Sequence, residues 1–211
     1  MIKRRKIFLF GVSSGYSSQI ISILIGIISV PMGLNYFGPV RYGIWMVITS
    51  ILAYLNTSQF GIGTATSTLI AKTPQRYEQQ LILSYSFALL TISSLIFILL
   101  ILVAGTHSYI WLPIFGNIPS YLKNEAIMAT LLFAILFLIR VPMIPFASAF
   151  SGLQKLHFER IYSVILPTLI NFIGLLAVVH LKGNLILFTI FNGLGNLLIG
   201  LVNVTHIFIF Y

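Results

Sequence analysis

The sequence predicts an all-α membrane protein, a bundle of six transmembrane helices, on three observations. Only 7% of the 211 residues are charged and 58% are hydrophobic; a soluble domain would carry about 25% charge. Stretches free of Lys, Arg, Asp and Glu recur at lengths suited to the roughly 20 residues of a spanning helix. The basic residues, with one exception, fall in the short segments between those stretches.

The first span is Phe8–Leu34, preceded by Lys3, Arg4, Arg5 and Lys6. Its apolar run exceeds the 7–15 residues of a signal-peptide core, and the first alanine of the chain is Ala53, so a retained helix is expected. Gly11, Gly15, Ser18, Ser22, Gly26 and Ser29 recur at steps of three or four and make one small face. That face reads either as a packing seam or as the wall of a polar cavity. The second span, Tyr42–Ile70, has a similar face at Thr57, Gly61, Thr64 and Thr68. It is interrupted by Asn56, Thr57, Ser58, Gln59, Gly61 and Gly63, a break tolerated at mid-membrane only against protein or water. The third, Leu81–Ala104, carries no charge.

The fourth span, Ala126–Phe150, exists only if two charge-free stretches join across Arg140. That places an arginine near the midplane, at a cost of about 2.5–3.5 kcal/mol on insertion scales. Two readings stand: the side chain snorkels to carbonyls on the cytoplasmic side, or it serves an anion site in a cavity. Pro142 and Pro145 deprive the carbonyls of Leu138 and Val141 of their helical partners and should kink the helix beside Arg140. The fifth span, Ile161–His180, brings Thr168 and Asn171. The sixth, Leu185–Phe210, lines up Asn192, Asn196 and Asn203 with Gly193, Gly195 and Gly200 nearby. One asparagine is helix glue worth about 0.6–2 kcal/mol. Polar faces on four or more spans together suggest a hydrated cavity or a large partner surface.

Eight basic residues fall on one side: the four at the amino terminus, Lys72, Arg76, Lys155 and Arg160. Three fall on the other: Arg41, Lys123 and Lys182. The excess marks the cytoplasmic side, so both termini are expected there. Trp45, Trp111, Tyr36, Tyr42, Tyr109 and Tyr121 fall at the outer ends, where amphipathic rings suit headgroups. The carboxylates Glu78, Glu125 and Glu159 are expected in loops. The net charge of +9 is therefore a topology signal, compatible with anionic lipid at the first four basic residues. No basic face for nucleic acid stands outside the short loops.

Enzyme chemistry is not expected. The chain has no Asp and no Cys, which removes aspartyl proteolysis, Asp-rich calcium loops, disulfides and thiolate sites. Gly11–Gly15 matches the G-x-S-x-G string but lies in an apolar helix rather than a strand–turn–helix. His107, His157, His180 and His206 lack metal spacing, and neither metal nor cofactor is expected. No mid-span carboxylate offers a proton or sodium relay of the usual kind.

Three segments carry a family resemblance. Leu34–Trp45 reads LNYFGPVRYGIW, Ser58–Ala65 reads SQFGIGTA and Arg140–Leu156 reads RVPMIPFASAFSGLQKL. In order and spacing they resemble the polysaccharide transporters that flip lipid-linked O-antigen and capsule units, within the multidrug, oligosaccharidyl-lipid and polysaccharide exporter superfamily. Gly38, Tyr42 and Gly43 fit the first motif, Gly61 and Gly63 the second, and Gly152, Gln154 and Lys155 the third; Gln59 stands where an acid is common. The resemblance covers residues 1–211 as one lobe, the amino-terminal half of a two-lobed fold, leaving a second lobe or a second copy of the chain as partner. It implies a multi-pass protein of the bacterial cytoplasmic membrane that exports lipid-linked oligosaccharide. Arg140 would meet the pyrophosphate, and Asn56, Gln59, Asn171, Asn192 and Asn196 would meet sugar. Gly61, Gly63, Pro142 and Pro145 would serve as hinges. A multidrug or peptidoglycan-precursor exporter, or a truncated non-transporting membrane protein, is the alternative.

Overall fold

In an apolar medium each backbone N–H and C=O must find its partner within the chain, and this sequence answers with helix almost throughout. The computed structural model describes the backbone of residues 2–57, 61–105 and 118–210, and side chains within 13–54, 61–103 and 118–209. Among these residues the elements are α1 (Ile2–Thr57), α2 (Ile62–Lys72), α3 (Arg76–Gly105), α4 (Ser120–Arg140), a 3₁₀ turn (Val141–Met143) and α5 (Ile144–Gly152). There follow α6 (Leu156–Arg160), a π turn (Ile161–Ile165), α7 (Leu166–His180) and α8 (Leu185–Phe210), with no strand among the described residues. Five helical stretches are long and apolar enough to cross a membrane: Ser13–Tyr54, Arg76–Val103, Ser120–Gly152, Leu156–His180 and Leu185–Ile209. The chain is a multi-pass membrane protein by this measure. Its outer shell agrees, for Ile27, Leu99, Leu198 and Ile209 are among many large apolar side chains left exposed, as lipid-facing residues must be.

The first of these stretches is 42 residues, far longer than one crossing requires. It is bent at Gly38, whose φ of 74° and ψ of 167° lie in a region open essentially to glycine alone. Pro39 follows, with its φ preset for a new helix start. The bend is a reversal. A side chain at Gly33 would strike the ring of Tyr42, whereas nine residues of straight helix would separate the two by about 13 Å. Before the bend the chain runs beside α7, with Ser22 Oγ 3.2 Å from Thr168 Oγ1 and Tyr36 Oη donating to Gly183 O at 2.8 Å. After it the chain runs back along α4, from the Arg41–Glu125 pair through Trp45 on Phe133 to Leu52 and Phe137.

Two sequence expectations are corrected. Trp45 is not a headgroup anchor. It is 4% exposed and packs between Phe133, at a ring separation of 5.2 Å, and Phe188, at 4.4 Å. The carboxylates are not in loops: Glu78 is in the first turn of α3, Glu125 is in α4 and Glu159 is in α6. Glu125 ties three elements, accepting from Arg41 Nε at 3.2 Å and from the Leu185 N–H at 3.0 Å, so one carboxylate clasps α1, α4 and the start of α8. The break expected within the second span falls where the sequence put it, between the end of α1 at Thr57 and the start of α2 after Gly61 at a φ of 69°. Trp111, Tyr109 and His107 lie outside the described residues.

Lipid tails are as apolar as leucine, so close fit rather than water exclusion holds these helices together. Glycines of α8 supply it. Gly193 receives Leu136 of α4, Gly195 receives Ile170 of α7, and Gly200 receives Met143 of the 3₁₀ turn. Gly63 of α2 similarly receives Ser148 of α5. The stripe in the first arm behaves differently: Ser18 is buried and Ser22 meets α7, but Gly15 and Gly26 face open space. That stripe is only in part a packing seam.

Replacing Gly38 by Ala is expected to destabilise the detergent-solubilised chain by about 1–3 kcal/mol, since nothing crowds the site and the cost is conformational. Gly43→Ala, also in open space but in helix, should be neutral or stabilising. Thermal unfolding of the two variants side by side checks this.

Candidate functional site

Two breaks in the helices face each other, and the site lies between them. The first is the one expected beside Arg140. Pro142 and Pro145 have no N–H, so the carbonyls of Leu138 and Val141 take donors three residues ahead instead of four. Val141 N–H reaches Leu138 O and Ile144 N–H reaches Val141 O, which is the 3₁₀ turn. The second break lies just before Pro167. Leu166 N–H reaches five residues back to Ile161 O, inserting the π turn. That turn presents Tyr162 to α8, where its hydroxyl and His206 Nδ1 are hydrogen-bonded at 2.8 Å. It carries Ser163 to the rim of a cavity.

The cavity holds about 400 Å³. Arg140, Met143 and Ser148 form one wall, Glu159, Tyr162 and Ser163 another, and Gly200 with Asn203 the third. A Cβ at Gly200 would lie 2.6 Å from Met143 Sδ and 3.5 Å from Arg140 Cγ, so the glycine makes room for the arginine stem. Arg140 also lines a neighbouring space of about 210 Å³ with Thr49, Phe137 and Asn196. Within the stretch Ser120–Gly152, Arg140 is four residues past the middle, or about 6 Å along the axis.

The charge balance of this cavity is unusual. No hydrogen bond or ion pair holds the Arg140 guanidinium among the described residues. Glu159 lines the same space, but its oxygens are taken by Arg160 Nε at 3.4 Å and Ser163 Oγ at 3.0 Å. Asn203 is 3% exposed, and its Oδ1 has no hydrogen-bond partner. The cavity thus presents an uncompensated cation, which suits an anionic ligand, while the unpaired Oδ1 of Asn203 is itself buried.

The other residues picked out in the sequence are distributed differently. Asn192 is fully buried. It donates to Phe188 O of its own helix at 3.0 Å and packs on Gly174, which makes it helix glue. Asn196 donates to Asn192 O at 2.8 Å and lines the smaller space beside Arg140. Asn171 is half-buried on α7 and lines neither space. Gly61 sits at the start of α2 at positive φ, while Gly63 is inside that helix against Ser148. Gln59 and the side chain of Asn56 lie outside the described residues. Arg140, Pro142, Pro145 and Asn196 are therefore brought together. Sequence reasoning missed Ser163 and Tyr162, though Pro167 was the available signal, since a proline there disturbs the preceding turn. Asn203 was noticed on its face but not singled out. No family model, curated protein or solved structure matches this chain.

Asn203→Leu removes a buried acceptor that has no partner, so thermal stability is expected to hold or rise by about 1 kcal/mol. Asn192→Leu removes a satisfied side chain fitted against Gly174 and should lower it. Equal losses for the two variants would refute the orphan status of Asn203.

Proposed function

We propose that this chain is a six-helix lobe of a two-lobed exporter. It moves lipid-linked oligosaccharide, an O-antigen or capsule repeat unit on a pyrophosphate carrier, across the bacterial cytoplasmic membrane. The observation that carries the proposal is Arg140, near the middle of its span, without a carboxylate partner, on the wall of a 400 Å³ cavity. The substrate class comes from the family resemblance of the three sequence segments. The sixth crossing comes from the reversal at Gly38, which divides the first helical stretch into an arm beside α7 and an arm beside α4.

Each residue of the cavity then has a task. The guanidinium offers paired donors to phosphate oxygens, a geometry that a lysine point charge does not reproduce. Ser148 and Ser163 can meet sugar hydroxyls. A volume of 400 Å³ lies at the low end for small-molecule sites. It accommodates the pyrophosphate and the adjoining sugar, with the remaining sugars against the second lobe. Two-lobed exporters of this kind alternate by rocking one bundle against the other. The 3₁₀ turn between Pro142 and Pro145 and the π turn before Pro167 are the points in this lobe where a helix can bend.

The chain has no cysteine, so single cysteines report location cleanly. Cysteines at Val40 and Lys182 are expected to react with an impermeant thiol reagent from outside the cell, and cysteines at Arg76 and Lys155 only after permeabilisation. Labelling of all four from one side would overturn the six-crossing topology.

In a complete exporter context, Arg140→Ala is expected to abolish surface polysaccharide at normal protein level, and Arg140→Lys to restore a minor part. Normal polysaccharide in Arg140→Ala would sink the anion-site reading. Drug sensitivity or loss of viability without glycan loss would point to a different cargo.

A further inference from the structure

We infer that a second groove, formed by α3, α5 and α8 at the Lys155 end of the bundle, binds the headgroup and one acyl chain of an anionic phospholipid. This inference does not depend on the transport reading. The groove holds about 210 Å³, below the range of drug-sized sites and suited to a thin chain. Its polarity is graded along its length. Arg76, Gln79, Gln80 and Ser84 line it along the first turns of α3, whereas Leu83, Phe146, Ile207 and Phe208 supply an apolar floor. Phe146 is flanked by Phe87 at a ring separation of 6.0 Å and by Phe208 at 5.8 Å. The walls therefore run from a polar, cationic end to an aromatic interior, the order of groups in a lipid entering from its headgroup.

The charge around the groove is complementary to an anion. Arg76 is exposed and has no ion pair among the described residues. Lys155 follows the lining residue Leu153 by two residues in the turn after α5, while Lys72 lies about 200° around α2 from the lining Ile70, so Arg76 is the cation that lines the groove. The nearby carboxylate, Glu78, is two residues after Arg76 and so about 200° around the helix from it, off the face that carries residues 76, 79, 80, 83 and 84. Gln79 Nε2 is already held by Thr73 O at 2.7 Å, which fixes the rim in place. Phe208 and Ser84 are exposed, so the groove is accessible from the side of the bundle. A basic residue near a membrane surface is worth about 1 kcal/mol toward anionic lipid, a factor of about five in affinity.

The test titrates the full 211-residue chain, purified in neutral detergent, with phosphatidylglycerol, with phosphatidylcholine of the same chains, and with inorganic phosphate. Binding is read by native mass spectrometry and by thermal shift. Phosphatidylglycerol is expected to bind about tenfold more tightly than phosphatidylcholine. Arg76→Gln should reduce that affinity about fivefold, and Lys123→Gln, at the opposite end, should leave it unchanged. Ser84→Trp, which fills the groove from an exposed position, should lower affinity for both lipids. Equal affinity for the two lipids overturns the inference, as does unchanged affinity in Arg76→Gln. Stabilisation by inorganic phosphate equal to that by phosphatidylglycerol excludes the acyl-chain component, and so does indifference to Ser84→Trp. Loss of binding on changing Lys3–Lys6 to Gln, with Arg76→Gln without effect, assigns the lipid to the amino terminus instead.

Discussion

Satisfaction of the backbone within an apolar medium governs the rest of this structure. Helix meets the requirement locally, and a departure from helix leaves polar groups that something must repair. Four departures stand out in the described residues, and each has its device. Gly38 adopts a conformation closed to other residues, with Pro39 starting the next arm. Gly61 opens α2 from the left-handed region. Pro142 and Pro145 shift carbonyl partners from four residues ahead to three, and the turn before Pro167 shifts one to five. The last two departures face each other across the bundle, which is why the polar cavity forms there. A continuous helix on either side would close that space with a regular row of side chains. The cation at the site is thus not an isolated oddity in a greasy helix, since it stands at the edge of a place where two helices already deviate.

The two ends of the bundle differ in how they are held. At the Gly38 end, Glu125 bonds α1 and the first turn of α8 from its place in α4, while Tyr36 bonds the carbonyl of Gly183. Removal of one acceptor there would leave a buried N–H of α8 unpaired, at about 1–3 kcal/mol. Trp45 with Phe133 and Phe188 fills the space below that clasp. At the Lys155 end the polar groups are arranged around the cavity instead, with Glu159 occupied by Arg160 and with Asn203 unpaired. The facing breaks at residues 141–143 and 161–165 lie beside that cavity, away from the clasp.

Much of the architecture was legible in the sequence because its causes are local. Charge-free stretches, the basic residues between them and the prolines beside Arg140 each act within a turn or two. They led to the helices, to the unusual arginine and to the turn that follows it. What was not legible depends on contacts between distant residues. Trp45 has the composition of an interfacial anchor and becomes a core residue only because Phe133 and Phe188 close on it. Glu125 counts as a loop charge until the start of α8 is brought to it. Asn192 and Asn203 share a face of one helix and look equivalent. One meets its own helix and Gly174, while the other meets a cavity, and the crossing of neighbouring helices decides between them. The first and second spans read as separate, and the structure parts them at a single glycine, Gly38, with helix on both sides of it.

The energetic position of Arg140 connects stability to function. An arginine at the centre of a membrane helix costs about 2.5–3.5 kcal/mol on insertion scales, and no carboxylate among the described residues pairs with this one. A bundle that keeps such a group is less stable empty than one with an apolar residue there, and an orphan acceptor on the facing wall adds to the deficit. An anion bound at the guanidinium would offset the first of these deficits. On the proposed reading, such an anion would stabilise the fold by RT ln(1 + [L]/Kd).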